Sequence, residues 1–130
     1  MGLFSVECRL ENQRDRTRSV RVSGVMVDTG SETTWIGQEH LARIGVEPEK
    51  DGRFMMADGR PVSRSIGFAV IRVGEELTTD EVVFAQRGDL QLLGARTLEG
   101  LHVKVDPRGK RLVASGPIIA AGNATGSNGR

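Results

Sequence analysis

Asp28, Thr29 and Gly30 stand directly after Val25, Met26 and Val27, so a carboxylate ends an apolar run. Such a run reads as a strand covered on both faces, and burying an unpaired carboxylate at its end costs several kcal/mol. An acid in that position is therefore paired, hydrogen-bonded or put to use. Thr29 sets a hydroxyl beside it, donor and acceptor at once. Gly30, without a β-carbon, lets backbone or a partner group come close. Two readings stay open: general acid–base chemistry on Asp28, or a turn that Asp28 merely caps.

Other chemistries find little to build on. Cys8 is the lone cysteine, and His40 and His102 are far apart, so no metal-ligand spacing exists and no cofactor is expected. One cysteine excludes an internal disulfide and points to a reducing, cytoplasmic setting. Arg14, Arg16, Arg18 and Arg21 cluster, but in an expected hairpin loop, where a solvated face accounts for them better than a phosphate site. With a net charge of +1 there is no overall field for nucleic acid. No apolar run approaches the roughly 20 residues that cross a bilayer, so no membrane partner is expected. Met1-Gly2-Leu3-Phe4 leads straight into mixed polar sequence, unlike a secretory signal. Val6 stands where a myristoylation signal carries Ser or Thr.

The elements that would hold Asp28 can be traced along the 130 residues, which suffice for one modest core. Leu3 to Leu10 alternates as a half-buried strand, and Asn12 to Arg16 turns the chain. Val20 and Val22 resume the alternation, and Ser23-Gly24 is a candidate bulge before Val25. Thr33 to Ile36 is rich in β-formers. Gln38 to Ile44 has helical spacing and is stopped by Gly45. Asp58-Gly59 between Phe54 and Val62 signals a hairpin whose second arm runs to Ile66, with Gly67 interrupting it. Phe68 to Val73 and Asp80 to Ala85 read as strands, and Ala95 to Gly100 as a short helix. Val103 to Val105 and Lys110 to Ala114 flank the turn Asp106-Pro107-Arg108-Gly109. The stretch from Ser115 to Arg130 is a tail of small residues, expected to be mobile from Asn123. Short strands, many glycines and two small helices predict a mainly β, compact, barrel-like fold over residues 1–114.

Three features resemble, in order, a single-domain retropepsin-like aspartic protease of the bacterial kind, over roughly Ser19 to Val113. Val25 to Ser31 is similar to the catalytic loop, and Trp35 falls where the pepsin branch often carries Trp. Phe54 to Ile66, with Ala57-Asp58-Gly59-Arg60 at its tip, is similar to the flap hairpin. Leu92-Leu93-Gly94 before a short helix is similar to the hydrophobic-hydrophobic-glycine element.

The resemblance implies an endopeptidase working on extended peptides with one carboxyl protonated and one ionised. Two carboxylates about 3 Å apart repel by roughly 5 kcal/mol at an effective dielectric of ~20, so they share a proton. Only one Asp-Thr-Gly exists, and Asp58 and Asp106 sit in turns. A second copy of the chain is the economical source of the other acid, which implies a homodimer with Asp28 on the axis. Carried over, Asp28 is the acid–base residue, Thr29 bridges the two loops, and Gly30 leaves space near substrate. The hairpin closes over a peptide bound as an added strand, with Met55, Met56, Ala57, Asp58 and Gly59 in reach. Met55 or Met56 alternatively packs the hairpin onto the body, and Trp35 reads better as core than as subsite. Relatives pair an acid after the triplet with an arginine next to the late glycine. Here Ala95 follows Gly94 and the arginine is Arg96, so a Glu32–Arg96 bridge across the dimer is the corresponding expectation. The alternative function is a catalytically silent module of the same fold that dimerises or binds peptides.

Overall fold

Cys8, Leu10, Val22, Val25 and Val27 are buried on one side of a hairpin whose outward residues are mostly polar, the alternation of a sheet with one covered face. The hairpin joins β1 (Ser5–Glu11) to β2 (Ser19–Val27) in a computed structural model that describes residues 4–122. The stretch expected to be mobile from Asn123 lies outside the described residues. Between Val6↔Val25 and Cys8↔Val22 the register shifts, so Ser23 and Gly24 together oppose Glu7 as a bulge. Gly24 has φ +69°, a backbone setting that suits glycine.

The chain continues through β3 (Thr34–Gly37), α1 (Gln38–Arg43), β4 (Lys50–Met55), β5 (Pro61–Val73) and β6 (Glu76–Ala85). It then forms β7 (Leu92–Leu93), α2 (Ala95–Gly100), β8 (Val103–Asp106) and β9 (Arg111–Ala114). The fold is mainly β: seven strands make one mixed sheet in the order β1-β2-β7-β3-β6-β5-β4, and β8 pairs with β9 apart from it. β1 also pairs with β5, through Arg9↔Arg72 to Glu11↔Val70. No helix among the described residues is long and apolar enough to cross a membrane.

The described residues form two apolar clusters. The larger joins β1, β2, α1, β6, β7 and α2 through residues such as Leu10, Val27, Leu41, Val82, Leu93 and Leu98. The smaller is Trp35, Ile66, Val83 and Ala85, with Phe54, Met56, Val62 and Leu92 packed against it. Trp35 and Phe54 meet edge to face with centroids 5.0 Å apart, which fastens β4 to the body.

Several expectations need correction. Val25 and Val27 are fully buried but Met26 only half, so the run before Asp28 is not covered equally on both faces. Gly67 does not interrupt β5. A β-carbon there would come within 2.6 Å of the Glu47 carbonyl, so the glycine serves a close approach of backbone rather than a break. The first arm of the hairpin starts at Lys50, not Phe54, because Lys50↔Ile66 to Met55↔Pro61 pair in unbroken register.

Candidate active site

The loop from Asp28 to Thr33 leaves β2 and enters β3, two strands that do not pair with each other. β7 lies between them, parallel to β2 (Val27↔Leu93) and antiparallel to β3 (Trp35↔Leu92). The loop is thereby held to the chain that follows β7. The Asp28 amide donates to the Leu93 carbonyl at 3.0 Å, and the Ala95 amide to the Ser31 carbonyl at 2.7 Å. The Arg96 amide donates to the Glu32 carbonyl at 3.1 Å. Gly94 sits at the crossing, where a β-carbon would stand 2.3 Å from the Thr33 carbonyl oxygen and 2.9 Å from that of Ser31. Within the loop, the Gly30 amide donates to Asp28 Oδ1 at 2.9 Å, so the triplet fixes its own carboxylate. The Asp28 side chain is partly exposed, and Thr29 and Gly30 are exposed.

Opposite stands the β4–β5 hairpin. Its tip is closed by the Met56 amide on the Arg60 carbonyl at 2.8 Å and the Gly59 amide on the Met56 carbonyl at 2.9 Å. Gly59 holds φ +86° there. Asp58 accepts from the Arg60 amide and from its guanidinium, each at 2.9 Å. The backbone donor first, then the guanidinium, hold the Asp58 carboxyl below its ordinary range. That carboxylate is engaged inside its own turn.

Loop and hairpin enclose a cleft of about 440 Å³ lined by Gly30, Ser31, Trp35, Phe54 and Met55, with charged groups at Glu32, Arg53, Glu81 and Arg96. Of the expected site residues, Gly30 and Met55 line it, and Asp28 and Thr29 precede Gly30 in the same loop. Met56 is half-buried against the Trp35 cluster. Ala57, Asp58 and Gly59 are exposed at the tip. Leu93 and Gly94 are buried, Leu92 partly, and all three support the loop from behind. Trp35 is 5% exposed and belongs to the core while its edge reaches the cleft.

Glu32 and Arg96, expected to bridge across a dimer, also meet within one molecule. Arg96 lies 3.3 Å from Glu32 and 3.6 Å from Glu81, which also takes Lys50 at 2.5 Å. Glu32 is 80% exposed, so the contact with Arg96 adds little stability and leaves Glu32 accessible.

Residues absent from the expected site are Thr34, Thr97 and Asp80. Thr34 and Thr97 are fully buried with their hydroxyls 2.6 Å apart. Thr34 Oγ1 accepts the Gly94 amide at 3.0 Å, and Thr97 Oγ1 donates to Asp80 Oδ2 at 2.9 Å. No sequence motif marks these three residues; Asp80 lies inside β6, and only the fold brings it to the two threonines. The sequence matches no protein-family model and no curated protein.

Proposed function

We propose that this chain is a retropepsin-like aspartic endopeptidase that acts as a homodimer. One Asp28 from each protomer shares a proton with the other. The ionised member activates water, and the protonated member polarises the scissile carbonyl of an extended peptide. One observation carries the reading: an Asp-Thr-Gly loop, braced by a strand threaded between its two flanking strands, faces a β-hairpin across a cleft. The double pairing of β1 with β2 and β5 supports reading the sheet as a small closed barrel of that family. The cleft has apolar walls at Trp35, Phe54 and Met55, which suits peptide side chains, and β4 is an edge strand beside it. Asp58 is engaged by Arg60 in its own turn, which supports drawing the second carboxylate from the Asp28 of a second molecule.

The test pairs size with turnover. Sedimentation at micromolar concentration is expected to give a dimer, and peptide cleavage should rise with the dimer fraction. Asp28→Asn should lower cleavage by about 10²–10⁴-fold while the fold and dimer persist. Undiminished cleavage by Asp28→Asn, or a strictly monomeric active species, rejects the mechanism. Peptide binding without turnover in the native chain selects the silent module instead.

A further inference from the structure

Behind the Asp28 loop two fully buried threonine hydroxyls and the partly exposed Asp80 form one continuous chain with a fixed direction. Thr97 Oγ1 donates to Asp80 Oδ2 at 2.9 Å. A hydroxyl has one proton, so Thr97 must accept from Thr34 across their 2.6 Å contact. Thr34 in turn accepts the Gly94 amide at 3.0 Å. The order is therefore Gly94 N–H to Thr34, Thr34 to Thr97, Thr97 to Asp80. Gly94 is the residue that touches the loop: it abuts the Thr33 and Ser31 carbonyls, and its neighbours Leu93 and Ala95 bond Asp28 and Ser31. Asp80 spends its other oxygen on the Glu81 amide at 2.7 Å, so both oxygens accept. An asparagine offers one acceptor and turns an NH₂ toward the remaining donor, and one of the two bonds is lost.

We infer that Asp80 is a positioning residue for Asp28, acting through the hydroxyls of Thr97 and Thr34 to set where Gly94 holds the catalytic loop. This rests on the proteolytic reading for its effect on rate, but not for its effect on the loop. The chain also explains why two threonines are tolerated with no exposure at all: every donor in it has an acceptor. Buried hydroxyls that rotate freely would let the segment after β7 settle at several heights; a terminal carboxylate leaves one arrangement.

The experiment uses the full chain with Thr97→Val, Thr97→Ser and Asp80→Asn, read by amide NMR and by kinetics. The Gly30 amide, bonded to Asp28 Oδ1, reports the carboxylate, and the Gly94 amide reports the relay. Thr97→Val and Asp80→Asn are expected to shift both resonances and to lower kcat on the order of tenfold with KM held, as a displaced catalytic group does. Thr97→Ser, which keeps the hydroxyl, should restore both resonances and return kcat to within about twofold of the native value. If Thr97→Val leaves the Gly30 and Gly94 amides in place, or if Thr97→Ser is as impaired as Thr97→Val, the relay is not what sets the loop. A native chain without peptidase activity whose Gly30 amide still follows Thr97→Val and recovers in Thr97→Ser refutes the protease while supporting the positioning role.

Discussion

The two walls of the cleft are built on opposite terms. The Asp28 loop is bound on its inner side by backbone hydrogen bonds to Leu93, Ala95 and Arg96, with a buried hydroxyl chain behind Gly94. The hairpin is fastened below its tip by side chains, by Phe54, Met56 and Val62 on the Trp35 cluster and by the bidentate Arg64–Asp89 pair at 2.8 and 3.0 Å, while residues 57–61 are all exposed. Their glycines tell the same story. Gly94 is there because nothing larger fits between two carbonyls, whereas a β-carbon on Gly59 meets nothing within 4 Å and only its φ of +86° demands glycine. In the proposed protease, the first construction suits orienting a carboxylate and the second suits a cover that admits a peptide.

Gly94→Ala should break the comparison hardest. The clash at 2.3 Å is with backbone, which cannot swing aside, so about 2–3 kcal/mol of stability and several degrees of Tm should be lost. Thermal unfolding measures it, and an unchanged Tm means the loop gives way and is not rigidly held. Asp89→Ala should come next, at about 1–3 kcal/mol, because it leaves the mostly buried Arg64 without its partner. The Arg64 guanidinium first, with the Gln86 amide, holds the Asp89 carboxyl below its ordinary range against the opposing effect of burial. Its pKa is thus lower folded than unfolded, so its contribution is complete above the unfolded value near ~3.9 and fades as pH falls through the folded one. Unfolding from pH 6 down to pH 2 should show the native chain losing this increment at acid pH and the Asp89→Ala chain lacking it throughout.

How much of this could be read beforehand follows from the range of the interactions. Val25 to Gly30, the Asp58-Gly59 tip and the helix stopped at Gly45 are local patterns, and each formed where expected. The threading of β7 between β2 and β3 was hidden, because a two-residue strand has no periodicity and pairs with segments 57 to 66 residues earlier in the chain. The first half of β4, Lys50-Asp51-Gly52, has poor β propensity and is a strand only because β5 supplies a partner. Gly67 was misjudged since a glycine that avoids a distant carbonyl looks the same in sequence as one that ends a strand. Thr34, Thr97 and Asp80 are common residues with no motif, joined only by the fold.

The smaller effects belong to the hairpin tip. Gly59→Ala must hold a left-handed backbone at a cost of about 1 kcal/mol, with open space for the methyl group. The loss should fall on the local opening of residues 56–60, seen as faster amide exchange there, with a Tm change well under that of Gly94→Ala. Asp58→Ala should do least. Its carboxylate and the Arg60 guanidinium are both solvent-exposed, where such pairs are screened and entropically costly. Tm is expected to stay where it is, while the Arg60 amide, deprived of Asp58 Oδ1, exchanges faster. A fall in Tm comparable to that of Gly94→Ala would mean that the tip is packed into the body as firmly as the loop, and that the contrast between an anchored wall and a free cover is mistaken.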